Sequence, residues 1–323
     1  MGIISILNKT LPSVKNVNQK NAFLHPMHTN TTKWFYLIAL SLIWGSSYIL
    51  IKKGLVGLTP LQLGSIRITL TTIILCAVDW KQFVTIPKKA WKWIAVTGFF
   101  GTFFPNYLFA FAETEIDSAV AAVLNGMTPL FTLLLGVLFF SAQLRWKQTL
   151  GVFVGFLGTL VLLFREFNFQ SGSGSLYGIL VIGAAFCYAV NVNVIKYKLQ
   201  GISAMAIALG NFLVILLPAL AVLSVSNFPF EGVLSDPKIT TSMGYIFILA
   251  VLGTALAKVM FNKLVAISSP VFSISITYLL PVVAIGWGML DGEVFTLLQW
   301  LGCLFILLGV YLVTEKTPQK RGV

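Results

Sequence analysis

Charge is scarce in this chain. Only 10% of its 323 residues are Asp, Glu, Lys or Arg, against about 25% in a soluble domain. With 57% of residues hydrophobic, a water-soluble fold is excluded, because surface falls too slowly with size to hide that much apolar material. His25 and His28 sit in the polar N-terminal stretch and are read as solvated. Cys76, Cys187 and Cys303 lie inside apolar runs with no CxxC or Cys/His spacing. They are expected to be free thiols acting as small apolar residues, with no metal site. No Asp or Glu falls deep in an apolar run, which argues against exchange of cations for protons on a buried carboxylate. A Walker A sequence is missing, and so are HExxH and GxSxG. Neither ATP use within the chain nor those hydrolase chemistries is supported, and no cofactor is implied.

What the chain has instead is apolar runs of membrane-crossing length, about 20 residues. Ten are read: 34–54, 60–78, 91–112, 118–140, 147–164, 176–196, 203–223, 243–264, 270–289 and 296–314. The connections are short except 225–240. Residues 1–31 lack a basic n-region and cleavage site, so they are read as a disordered cytoplasmic tail rather than a signal peptide. Met27 would itself serve as a start. Residues 316–323 form the second tail.

The net charge of +12 is not a nucleic-acid footprint, because the cations sit in short loops. With the N-terminus inside, 16 Lys and Arg fall inside and four outside: Lys52, Lys53, Arg165 and Lys238. Only Arg67 and Lys258 lie within spans. Eight acids, including Glu113, Asp117, Asp291 and Glu293, fall outside. The positive-inside rule then places both termini in the cytoplasm of an inner (plasma) membrane protein and requires an even number of spans.

The chain also aligns with itself. A shift of 144 overlays Trp44–Lys52 on Tyr188–Lys196 and puts Arg67 on Asn211. A shift of 152 overlays Gly101-Thr102 on Gly253-Thr254, Asn106 on Lys258 and Pro129 on Pro281. A shift of 151 pairs Gly151 with Gly302 and Gly158 with Gly309. The expected fold is all-α: ten transmembrane helices as two inverted five-helix repeats, 33–165 and 175–315, around a central cavity. Five is odd, so the second copy is upside down, an architecture recurrent in secondary carriers.

These residues also carry a family resemblance. Leu42-Ile43-Trp44-Gly45-Ser46-Ser47 with Ile51-Lys52, Pro60 with Ile66-Arg67, Thr128-Pro129-Leu130-Phe131-Thr132 and Leu252–Ala257 stand in order. Pro281, Gly292-Glu293, Leu301-Gly302 and Leu308–Leu312 follow. In that order and spacing the chain resembles the EamA-type carriers of the drug/metabolite transporter superfamily, over roughly 33–315. Ala142 departs from the pattern, where an acid is common. The resemblance implies a ten-helix basket with a central cavity, and substrates among amino acids, other metabolites and drugs.

Polar residues within spans are then candidates for the cavity. Trp44, Ser47, Asn106, Asn125, Tyr188, Asn191, Lys258 and Tyr278 are assigned to its lining. Asn191 and Asn193 stand about 200° apart on a helix, so they cannot both face the cavity. Lys258 either snorkels to the cytoplasmic interface or attracts a substrate carboxylate, and the second assignment is taken. Arg67, Pro129, Pro281 and Gly253 are given structural roles: bracing carbonyls, kinking two equivalent helices and allowing close helix contact. The expected function is alternating-access export or facilitated movement of amino acids or similar small metabolites, and no enzyme is expected. A multidrug efflux carrier and a non-transporting scaffold or sensor are the alternatives. The expected partners are a small-molecule substrate and membrane lipid, with no nucleic acid, in a monomer or weak homodimer.

Overall fold

The structure is a computed structural model that describes residues 26–116, 118–143, 145–162, 174–229, 232–290 and 297–314. The expected tails up to residue 25 and over 316–323 lie outside the described residues, as do Asp117, Arg165, Glu166, Glu231, Asp291 and Glu293.

All regular structure among the described residues is helical. In chain order the α-helices are α1 (Pro26–Gly54), α2 (Pro60–Asp79), α3 (Trp91–Gly98), α4 (Phe104–Ala112), α5 (Ser118–Asn125), α6 (Thr128–Phe140) and α7 (Trp146–Leu162). Then come α8 (Gly174–Lys198), α9 (Ala204–Val225), α10 (Gly232–Ser235), α11 (Pro237–Ile248), α12 (Ala257–Ile267), α13 (Pro270–Ile274), α14 (Ile276–Leu290) and α15 (Leu297–Thr314). Six continuous helical stretches are long and apolar enough to cross a membrane, among them Lys88–Ala112 and Pro237–Ile267.

Local chemistry sets the starts. Thr59 and Gln62 form a capping box at α2, each side chain taking the other's backbone N–H at 3.4 and 3.0 Å, and Pro60 holds the first helical position. Ser203 caps α9 by accepting from Ala206 N, 3.1 Å. Asp236 caps α11 ahead of Pro237, so this helix begins inside the stretch that hydropathy reads as a loop to 240. At the other end of the chain, residues 26–31 are already helical, where composition alone predicts tail.

Two helices contain π-helical segments, Phe99–Phe103 between α3 and α4 and Leu249–Leu256 between α11 and α12. They overlap under the 152-residue shift, and each holds one of the matched glycines, Gly101 and Gly253. The proline expectation is corrected at Pro129. The helix breaks at Gly126-Met127 and Pro129 stands in the first turn of α6, where its missing N–H costs nothing. Pro281 does lie within a helix, α14, but the break there is at Ser275.

The packing is inside out relative to a soluble protein. Among the described residues twenty-two polar or charged side chains are buried, while Leu217, Phe139 and Val78 are 70% exposed or more. In hydrocarbon this is the favourable arrangement, because polar groups find partners only inside.

Helices α7 and α15 form an antiparallel seam. A Cβ at Gly151 would fall 2.7 Å from Gly309 O, and one at Gly158 would fall 2.9 Å from Gly302 O. Gly151 matches Gly302 and Gly158 matches Gly309, so the two contacts are the same contact with the halves exchanged. At Gly309 an added Cβ would lie 2.5 Å from Gly155 N. Gly309→Leu is therefore expected to force the helices apart and cost about 1–3 kcal/mol, read as a lower thermal unfolding midpoint in detergent. Gly244→Ala, inside α11 where a Cβ meets nothing within 4 Å, should hold that midpoint or raise it slightly.

Candidate functional site

A central cavity is walled by α1, α2, the two π-helical segments, α4, α5, α8, α12, α13 and α14. Helix positions explain who reaches it. In α8 Asn191 lies on the cavity wall, and Asn193, about 200° further round, instead donates to Thr132 O (3.0 Å) and Ala189 O (2.9 Å).

The walls obey the exchange seen at the seam. Gly101 packs directly against the Asn191 side chain, and Gly253 against Ser47; Asn191 and Ser47 match at shift 144. Tyr188 stacks on Phe109 with ring centroids 6.1 Å apart, and Trp44 meets Phe261 at 5.3 Å. Those pairs match as well. Asn125 and its mate Thr277 both line the cavity. A Cβ at 101 would overlap the Asn191 amide, and one at 253 would press on the side-chain ends of Ser47 and Leu249.

The chemistry is set by hydrogen bonds between elements. Lys258 Nζ donates to Gly101 O at 2.5 Å, and Trp44 Nε1 donates to Gly253 O at 2.9 Å. Arg67 Nε donates to Thr254 Oγ1 (2.8 Å) and Nη1 to Asn106 Oδ1 (3.2 Å), while Asn106 Nδ2 donates to Gly64 O (2.8 Å). Asn125 Nδ2 donates to Tyr48 OH, 3.2 Å. Asn191 Oδ1 and Thr102 Oγ1 are buried without a hydrogen-bond partner.

Seven of the eight residues that sequence assigns to the lining lie on this wall: Trp44, Ser47, Asn106, Asn125, Tyr188, Asn191 and Lys258. Tyr278 does not. It is fully buried and donates to Val152 O of α7 at 2.7 Å; its neighbour Thr277 takes the cavity position. One residue is about 100° of helix rotation, and the break at Ser275 sets the phase. Arg67 and Gly253, read as structural, also line the cavity. Lys258 is 7% exposed and bound inward; it does not snorkel. Asn211, the mate of Arg67, is fully buried, with its amide 2.8 Å from Thr97 Oγ1. Sequence reasoning missed Phe109 and Phe261, although the 152-residue shift pairs them. It also put Glu113 in an outer loop, whereas the residue is only 4% exposed at the end of α4, within electrostatic reach of Arg67.

The family model described as the EamA-like transporter family matches this chain twice, over residues 32–164 and 175–315. The chain belongs to the EamA-like transporter family. That membership places it in the drug/metabolite transporter superfamily, as a membrane protein. The EamA chain is 26% identical to a "Probable amino-acid metabolite efflux pump" of Salmonella typhimurium, over 86% of this chain and 93% of that one. It is 28% identical to an "Uncharacterized inner membrane transporter YedA" of Escherichia coli, over 86% and 89% respectively. An "Uncharacterized transporter" of Archaeoglobus fulgidus is 24% identical over 88% and 99%. A solved crystal structure 16% identical superposes with a TM-score of 0.66, covering 88% of this chain and 96% of that chain; it shows the fold alone.

Because Tyr278 serves the α7 contact, Tyr278→Phe is expected to remove the hydrogen bond that ties α14 to α7 and cost about 1 kcal/mol of stability, measured by thermal unfolding in detergent. A solute bound in the cavity should keep its affinity in that variant.

Proposed function

We propose that this EamA protein is a secondary transporter that exports, or lets equilibrate, amino acids or similar small metabolites by alternating access. The single observation that carries the reading is the paired wall of the cavity. Gly101/Asn191 and Gly253/Ser47, Phe109/Tyr188 and Phe261/Trp44 are two copies of one arrangement, built from opposite halves of the chain. Two matched halves closing on one cavity can exchange conformations about it, which is the logic of inverted-repeat carriers.

The reading includes ten spans, two repeats over 33–165 and 175–315, and both termini in the cytoplasm. The 16-to-4 division of Lys and Arg supports this orientation. Helix directions support the inversion: α7 and α15 run antiparallel, and so do α1 and the Pro237–Ile267 helix, where Trp44 meets Gly253, Gly54 meets Ile246 and Gly57 meets Lys238. The Salmonella relative's description as a probable amino-acid metabolite efflux pump supports the substrate range.

Reconstituted into liposomes, the protein should release preloaded amino acids or small carboxylates faster than empty liposomes do. Absence of flux for every metabolite in a broad screen would favour a scaffold or sensor instead. Lys258→Gln should reduce flux of an anionic or zwitterionic substrate by roughly tenfold or more, the size of a lost charge-assisted contact, while the protein stays folded. Unchanged flux in that variant would remove Lys258 from the mechanism.

A further inference from the structure

Resting on the carrier reading, we propose that the cavity selects a small organic acid of net negative charge that also offers a hydrogen-bond donor, in preference to neutral zwitterions and cations.

The charge argument starts from Arg67 and Lys258. Both stand on the cavity wall, and none of the 21 lining residues is Asp or Glu. Their hydrogen bonds go to neutral groups: Thr254, Asn106 and the Gly101 carbonyl. A guanidinium has five N–H groups and an ammonium three, so donors of both remain for a ligand. Charges held away from water need compensation. Glu113 lies within electrostatic reach of Arg67 but outside the lining, so the wall itself supplies no carboxylate to either group. The lining therefore holds a surplus of basic groups over acids. A zwitterion adds no net charge and leaves that surplus in place. A cation adds to it. A net anion removes it, and a second carboxylate finds the second cation.

The donor argument is independent of charge. Asn191 is 1% exposed, lines the cavity, and its Oδ1 has no hydrogen-bond partner. Thr102 Oγ1, one residue from Gly101, is also unpartnered. A buried acceptor without a donor is costly, and a ligand hydroxyl or ammonium supplies it. The aromatic pairs Trp44/Phe261 and Tyr188/Phe109 bound the space on two sides, which keeps the ligand small.

The test uses the full chain and four solutes: L-malate, succinate, L-threonine and L-lysine. In liposomes, malate flux should exceed threonine and lysine flux by roughly tenfold, and malate should exceed succinate, which lacks the hydroxyl, by several-fold. An imposed membrane potential should accelerate or retard the anion flux. Asn191→Ala should erase the preference of malate over succinate while keeping that of succinate over threonine. Arg67→Gln with Lys258→Gln should bring the ratio of malate to threonine near one. Gel filtration reports folding, and Lys258→Arg, which keeps the charge, should retain the ratio if the double variant misfolds.

Thermal unfolding of the purified protein separates this inference from the carrier reading. Malate that stabilises the protein but does not cross the bilayer upholds the anion site and removes malate from the transported solutes; if no other solute crosses either, the carrier reading falls while the anion site stands. Threonine or lysine crossing as fast as malate, or malate giving no stabilisation, overturns the anion site, and the carrier reading stands wherever flux is seen.

Discussion

Two backbone carbonyls, Gly101 O and Gly253 O, set the terms for the centre of this molecule. Each belongs to a π-helical segment, where hydrogen bonds reach five residues rather than four and the regular ladder is locally disturbed. Both are met by side chains from the other half: Lys258 for Gly101, Trp44 for Gly253. The glycines are bare because Asn191 and Ser47 occupy the space a Cβ would need. These contacts bring a cation, an indole, an amide and a hydroxyl to one place, and the cavity is what lies between them.

Around that centre the sequence is simple physics. Apolar faces look outward, small residues sit where helices cross, and caps stand at the starts of α2, α9 and α11. The glycine seam of α7 and α15 joins the ends of the two halves through contacts that are each other's images. Polar residues are concentrated where helices meet, which is also where a solute can be held.

Much of this was legible in the chain itself. The shifts of 144 and 152 already pair the residues that turn out to face one another's mates, and a polar residue at depth is informative because depth is costly. What was not legible has a common cause: hydropathy reports how deep a residue lies, not which way round the helix it points. Arg67 was read as a brace because its depth was visible and its direction was not. Tyr278 was assigned to the lining for the same reason, since the break at Ser275 fixes the helix phase and leaves no mark in composition. The π-helical segments escaped because they follow from how two helices fit rather than from any residue preference. Glu113 escaped because its position, next to the end of an apolar run, reads as a loop.

The two glycine carbonyls are met by different donors, one a charged ammonium and the other a neutral indole. A perfectly duplicated chain would have two states of equal energy, related by exchange of its halves about a two-fold axis, and nothing would favour either. Here the degeneracy is lifted at its centre: exchanging the halves does not return the same molecule, because an ammonium and an indole respond differently to charge, salt and an applied field. Departures from symmetry of this kind give the protein a ground state of its own.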